Sequence, residues 1–128
     1  MELLARIPKD RIAVLIGKAG RTRKMLEKAS GASLEIDSQT GDVSAIWEVD
    51  EPDPIVKMKM PDVIRAIGRG LAPNRAVKLL DDEVFLRMYD IREWVGRQPN
   101  QTRRMRSRLI GRNGRIRSLI EEMSQTEM

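Results

Sequence analysis

The chain has 128 residues, of which 41% are hydrophobic, 34% charged and only 3% aromatic. This length suits one ordinary domain or two small ones, with a core of Ile, Leu, Val and Met. Histidine and cysteine are both absent, which excludes disulfides, Cys/His zinc sites and a histidine base. No apolar run approaches the ~18 residues of a membrane span. We therefore expect a soluble cytoplasmic protein with no metal, cofactor or membrane partner.

The net charge is +5, and its distribution along the chain is uneven. Between Trp94 and Ile120 there is no acidic residue, whereas arginine occurs eight times. A guanidinium can bind two phosphate oxygens at once, so this arginine segment favours a polyanionic partner. The alternative is a solvated helix face. The eight residues are Arg97, Arg103, Arg104, Arg106, Arg108, Arg112, Arg115 and Arg117.

The first predicted elements are a strand and two helices. Leu3–Ile7 is predicted to be the strand. The apolar residues of Ile12–Ile16 recur with the i, i+3, i+4 spacing of one helix face, and Gly17 ends that helix. A second helix is predicted from near Gly20 to Gly31. Its predicted buried residues are Met25, Leu26 and Ala29.

Two more strands and a third helix follow. Ser33–Asp37 alternates with period two, and Val43–Val49 is a second strand after a polar turn. The pair Asp53–Pro54 begins a helix that ends within Gly68–Gly70. Because proline disrupts a helix interior, Pro61 predicts a kink or a new helix start. The predicted buried face is Val56, Met60, Val63, Ile64 and Ile67.

The predicted order is strand, helix, helix, strand, strand, helix. Three strands covered on one face by three helices form a complete small α+β domain, here residues 1–70. Residues 71–82 connect it to a second unit at 83–128. The elements predicted beyond residue 70 are a short helix at Ala72–Leu80, a strand at Val84–Tyr89 and a loop at Gly96–Asn100.

The two predicted units share a sequence repeat. A shift of 94 positions aligns Leu15–Gly31 with Leu109–Gln125, and eight of the 17 pairs are identical. Each copy is therefore predicted to form helix, tight turn, helix around Gly-x-x-Gly. The second copy lacks the two strands and final helix of the first, so either the chain is a fragment, which we favour, or another surface completes this unit. The apolar residues predicted to lack cover are Ile116, Leu119, Ile120 and Met123.

The order of elements around Gly17–Gly20 resembles a type I K-homology (KH) domain. Ile7-Pro8 stands before the loop and Gly31–Ile36 after it, as in that family. A lone Gly-x-x-Gly would be a weak indication, whereas two copies with the right flanking elements are specific. The resemblance implies an α+β fold: a type I KH domain (β-α-α-β-β-α) followed by a second, incomplete KH unit.

Three further stretches are similar to the archaeal two-KH-domain family related to eukaryotic "partner of Nob one": Ile7–Ile12, Ala66–Gly70 and Arg75–Leu80. This resemblance implies binding to the 3′ region of small-subunit ribosomal RNA during ribosome maturation. The implied partners are single-stranded ribosomal RNA, small-subunit precursors and the endonuclease that trims the RNA.

Glycines in such a loop let the main chain take positive φ and approach another backbone closely. The helix that follows points its N–H groups and dipole at an anion. In KH domains about four nucleotides lie along the loop. The implied apolar groove of the first unit is lined by Ala13, Val14, Ile16 and Ile36. The candidate RNA-binding residues are Gly17, Lys18, Ala19, Gly20, Arg21, Ala13, Val14 and Ile36 in the first unit, and Arg108, Gly111, Arg112, Asn113, Gly114, Arg115 and Arg117 in the second.

Four alternatives stay open. Asp81–Glu83 could hold Mg²⁺ in a nuclease, although contiguous acids point in different directions and a solvated linker is the simpler interpretation. Asp81–Glu93, with Trp94, could serve a protein partner. Single-stranded DNA could replace RNA, because the loops contact mainly backbone. The loops could also be corners without a ligand. We predict a non-catalytic RNA-binding protein.

Overall fold

The structure is a computed structural model, and it describes residues 1–48, 50, 52–95 and 98–128. The chain divides into two units, Met1–Leu86 and Arg87–Met128. Over the described ranges, no helix is both long enough and apolar enough to cross a membrane.

The alternating apolar positions of the first unit form three strands: β1 (Glu2–Arg6), β2 (Ala32–Ile36) and β3 (Asp42–Trp47). They make one antiparallel sheet in the order β1-β3-β2. All three predicted strands are confirmed with ends displaced by one or two residues, and Val49, predicted in β3, lies outside the described residues. Arg6 Nε donates to Asp42 Oδ1 at 2.7 Å across β1 and β3, and this hydrogen bond holds the pKa of the Asp42 carboxyl below its ordinary value.

Three helices cover the sheet: α1 (Lys9–Ile16), α2 (Arg21–Ser30) and α3 (Pro54–Gly68). The Asp53 side chain caps α3 by accepting from Ile55 N at 2.9 Å. Pro61 lies inside α3, which continues without interruption, so the predicted new start there is wrong. A proline in a helix interior costs ~3 kcal/mol, whereas each large apolar side chain that α3 buries contributes about 1.5–3 kcal/mol. The fully buried ones are Met60, Val63, Ile64 and Ile67.

The core of the first unit lies between the sheet and the helices, and aliphatic side chains fill it. On α2 the buried positions are Leu26 and Ser30, with Met25 half-buried. Ala29 is exposed, so its predicted burial is wrong. The buried stripe follows the i, i+4 spacing from Leu26 to Ser30, and this leaves Ala29 outside it.

The segment after α3 packs back onto the first unit as α4 (Pro73–Ala76) and a 3₁₀ turn at Val77–Leu80. These two pieces confirm the predicted short helix. Lys59 of α3 is only 6% exposed, and its Nζ donates to Asp81 O and Val84 O, each at 2.5 Å. The same Nζ lies 4.5 Å from the centroid of the Phe85 ring, which is a cation–π contact.

The predicted strand at Val84–Tyr89 is wrong, because residues 84–90 have no regular structure. A strand needs a neighbour to pair with, and the sheet formed by the described residues is β1-β3-β2. The Val84 carbonyl instead accepts from the Lys59 ammonium.

The second unit contains α5 (Arg92–Val95), α6 (Pro99–Ile110) and α7 (Arg115–Ser124). The loop predicted at Gly96–Asn100 is wrong at its end, because Pro99 begins α6. Proline suits the first helical position, since its φ is preset and its missing N–H would have no helical partner there. Gly96 and Arg97 lie outside the described residues.

Candidate nucleic-acid interface

The two Gly-x-x-Gly loops have nearly the same backbone conformation. Gly17 has φ 75° and ψ 174°, and Gly111 has φ 72° and ψ 177°. The third residues are left-handed at φ 54° and 55°, and the fourth residues at φ 74° in both loops. The helix after each loop also ends alike, with Gly31 and Gln125 in left-handed conformations. The sequence repeat is therefore also a structural repeat.

The first glycine of each loop is required by the packing of one helix on the next. Its combination of positive φ with ψ near 180° is essentially restricted to glycine. A Cβ on Gly17 would lie 2.3 Å from Thr22 Oγ1 and 2.9 Å from Thr22 N. A Cβ on Gly111 would lie 2.5 Å from Ile116 Cγ1 and 2.8 Å from Ile116 N. The turn can close against the following helix only without a side chain here.

The second glycine of each loop has a different environment. A Cβ on Gly20 would meet no atom within 4 Å, so the outer side of this loop is open. A Cβ on Gly114 would meet the Arg117 guanidinium, with Nη2 at 3.4 Å. A ligand backbone can thus approach the main chain closely at Gly20, and at Gly114 it would meet a guanidinium as well.

Each loop leads directly into a helix whose first turn has no side-chain cap: α2 after Gly20 and α7 after Gly114. The amide of the first residue of each helix donates to Lys18 O or Arg112 O, and the amides that follow it, together with the helix dipole, favour an anion. The basic side chains Lys18 and Arg21 are exposed beside the first loop, and Arg112 and Arg115 beside the second. Both corners therefore combine exposed positive charge with an uncapped helix end.

Sequence reasoning missed Glu27, which connects the first corner to the sheet. Its Oε2 accepts from Leu34 N of β2 at 2.9 Å, and its Oε1 lies 3.6 Å from Arg23 Nε. In the second unit Arg117 Nε and Glu121 Oε1 are also 3.6 Å apart. The signal was available, because both residues of this i, i+4 pair are identical in the two copies.

The candidate groove residues of the first unit are accessible. On α1, Ile12 and Leu15 enter the core, whereas Ala13 is exposed and Val14 and Ile16 are half-buried. Ile36, the last residue of β2, is also half-buried. These aliphatic side chains keep free surface on which bases can pack.

In the second unit most of the large apolar residues of α7 are exposed to solvent. Ile116, Leu119 and Met123 of α7 are 41%, 50% and 78% exposed, and Ile120 is half-buried. This confirms the predicted lack of cover. Arg108 is exposed on α6. Arg97, one of the eight arginines of the arginine segment, lies outside the described residues.

Two other features bear on the alternatives. A cavity of about 350 Å³ in the second unit was not predicted; its lining includes Arg92, Arg103 and Arg106. At the predicted acidic cluster, Asp81 Oδ1 accepts from Glu83 N at 2.9 Å and so closes a local turn. Within the ranges the structure describes, no three acidic side chains are placed to hold a metal ion.

Two family models match the chain. The KH domain matches residues 3–59, and the eukaryotic type KH-domain (KH-domain type I) matches residues 85–128. The crystal structure of Dim2p from Pyrococcus horikoshii is 42% identical, with a TM-score of 0.85, over 96% of this chain and 71% of that one. The chain belongs to the archaeal two-KH-domain family related to "partner of Nob one". Membership confirms the predicted α+β class and the KH fold.

Three other proteins are also similar to this chain. A chain in the crystal structure of an a/eIF2alpha–aDim2p–rRNA complex from P. horikoshii is 42% identical, with a TM-score of 0.85, over 96% of this chain and 67% of that one. A crystal structure from Aeropyrum pernix is 29% identical, with a TM-score of 0.88, over 96% of this chain and 65% of that one. A KH domain-containing protein of Methanocaldococcus jannaschii is 41% identical over 121 residues, and the chain spans about half, 52%, of its length.

Proposed function

We propose that this chain binds single-stranded RNA through both Gly-x-x-Gly loops, and that its target is the 3′ region of small-subunit ribosomal RNA during ribosome maturation. The observation that carries the proposal is the shared loop conformation, which sets exposed cations beside an uncapped helix end in each unit. The crystallised complex of the P. horikoshii relative with rRNA supports ribosomal RNA as the target class.

In this mechanism the loops bind phosphates and the adjacent aliphatic surface receives bases. At the first loop, Lys18 and Arg21 neutralise the backbone while Gly17 and Gly20 let it approach the main chain. The bases then lie against Ala13, Val14 and Ile36, where few aromatic rings are needed. Phosphate contacts set the position of the strand, and contacts to base edges set any preference among bases.

At the second loop the proposed contacts to phosphate are more numerous. Arg112 and Arg115 correspond to Lys18 and Arg21. Asn113 adds an amide that can donate at the tip, and Gly111 and Gly114 shape the turn. Arg108 adds a guanidinium before the loop, which can bind two phosphate oxygens. Arg117 adds one after the loop, and this guanidinium also pairs with Glu121. The protein acts as a binding protein rather than a catalyst, alongside the trimming endonuclease and small-subunit precursors.

Binding to synthetic oligonucleotides tests this function. Fluorescence anisotropy would compare a labelled 15-nucleotide RNA from the 3′ end of small-subunit rRNA with a scrambled RNA and with DNA of the same sequence. We expect the rRNA sequence to bind at least ~10-fold more tightly than the scrambled RNA, which is the discrimination of one good base contact. The DNA keeps the same order of bases but lacks the 2′-hydroxyls, so its weaker binding measures the contacts made to those groups. Equal affinity for all three would overturn the rRNA assignment, and no binding would overturn RNA binding itself.

A further inference from the structure

The basic residues beside the two loops lie on different helices. In the first unit α2, after the loop, carries four basic residues and one acidic residue, whereas α1 carries two and one. In the second unit α6, before the loop, carries four arginines and no acid, whereas α7 carries two basic and two acidic residues. The excess of positive charge thus follows the first loop and precedes the second.

On α2 the positive charges form a stripe. Lys24 and Lys28 follow Arg21 at i+3 and i+7, so the three share one helix face, and all are exposed. At 1.5 Å rise per residue the stripe extends about 10 Å beyond the loop. Within the described parts of the chain none of the three has an ion pair, whereas Arg23 pairs with Glu27.

The second unit does not repeat this stripe. A shift of 94 positions places Ser118 at the position of Lys24 and Glu122 at the position of Lys28. The second unit has its charge on α6, where Arg104 and Arg108 are exposed one turn apart and stand at the positions of Asp10 and Val14. The helix with the excess of positive charge is therefore the one after the loop in the first unit and the one before the loop in the second.

The third charged residue of α1, Arg11, does not add a guanidinium that is free to bind phosphate. Its Nε donates to Ile67 O at 2.8 Å and its Nη2 donates to Leu71 O at 3.2 Å, both at the end of α3. These bonds hold α1 against α3 and occupy the guanidinium. The first helix of the first unit thus contributes Lys9 and Asp10, which offset each other.

We infer that RNA flanking the loop-bound nucleotides extends on opposite sides of the two loops. Beside the first loop its phosphates run along α2 and contact Lys24 and Lys28. Beside the second loop they run along α6 from Arg108, already proposed beside the loop, to Arg104. The inference rests on the proposed function, and it lengthens each site beyond the roughly four nucleotides that a KH loop clamps. Each phosphate neutralised this way releases counterions and steepens the salt dependence of binding.

The test gives the first unit the residues of the second. The variant Lys24→Ser with Lys28→Glu changes only exposed side chains, so its fold is expected to persist. Binding would be measured between 50 and 300 mM salt, roughly the range in which phosphate contacts dominate, with a 5-nucleotide and a 15-nucleotide RNA sharing the same central sequence. A matched control, Lys57→Ser with Arg69→Glu, makes the same change of charge on and beside α3.

We expect the stripe variant to lose about tenfold in affinity for the 15-nucleotide RNA, and its log–log salt slope to shrink by about 0.7 per lost contact. Its affinity for the 5-nucleotide RNA should stay within about twofold, and the control should bind both RNAs like the unmodified protein. Unchanged affinity for the 15-nucleotide RNA, or an equal loss in the control, overturns the inference. The proposed function fails separately if Lys18→Asp with Arg112→Asp binds the 15-nucleotide RNA normally.

Discussion

Replacing both loop tips with acids is expected to weaken RNA binding at least ~100-fold while the protein stays folded. The variant carries Lys18→Asp and Ala19→Asp in the first loop, with Arg112→Asp and Asn113→Asp in the second. A hydrogen bond to a charged group contributes about 1.5–3 kcal/mol, and each 1.4 kcal/mol is a factor of ten. Losing one such bond at each loop already accounts for two orders of magnitude, and the acids add repulsion.

The fold should tolerate these changes because none of the four positions is buried. Ala19 and Asn113 have φ of 54° and 55°, a left-handed region that aspartate accepts better than most residues. Circular dichroism and the midpoint of urea unfolding should therefore match those of the unmodified protein. Anisotropy with the 15-nucleotide rRNA oligonucleotide measures the loss.

Each loop altered alone shows how the binding is divided between the units. A control that lowers the net charge by four, against three for either loop altered alone, places aspartate at Lys57 and Arg69, which lie on and just after α3. If the four-substitution variant kept its affinity within about threefold while folded, a difference below ~0.7 kcal/mol, the loops would not be the site.

The second large effect is on stability, and it separates the two glycines of one loop. Gly17→Ala is expected to destabilise the first unit by more than ~3 kcal/mol, because alanine there takes a φ/ψ combination reserved for glycine. The added Cβ would also lie 2.3 Å from Thr22 Oγ1. Gly20→Ala should cost only ~1–2 kcal/mol, because its left-handed conformation is strained for alanine but its surroundings are empty.

Urea unfolding followed by tryptophan fluorescence measures this difference. The chain has two tryptophans, so a Trp94→Phe background leaves Trp47 of β3 to report on the first unit alone. We expect the unfolding midpoint of Gly17→Ala to fall well below that of Gly20→Ala. Equal free energies of unfolding for the two variants would show that Thr22 moves away from the added Cβ and that packing does not require the first glycine.

Local patterns were enough to predict the elements around the first loop. Strand alternation and helix spacing gave the order of β1 to α3, and the repeat located the second loop. The errors arose where tertiary packing overrode a local rule. The free energy gained by burying the apolar face of α3 exceeds the cost of Pro61 inside the helix. On α2, Ala29 lies outside the buried stripe.

Apart from the Glu27 contacts, those that sequence reasoning missed join residues far apart in the chain. Lys59 donates to carbonyls 22 and 25 residues away, and Arg11 to carbonyls 56 and 60 residues away. A lysine or arginine in a helix is normally solvated, so nothing local distinguishes one whose head group donates to backbone carbonyls. The exchange of charge between α2 and α6 was present in the sequence, but it gained meaning only when exposure and pairing were known.

The most direct measurement is an amide chemical-shift titration of isotope-labelled protein with the 5-nucleotide RNA. If both loops grip phosphates, the largest shifts occur at the amides of residues 17–22 and 111–116, and the amides of β1 stay unchanged. Shifts concentrated on β1 or on α3, with both loops unperturbed at saturating RNA, would contradict the account.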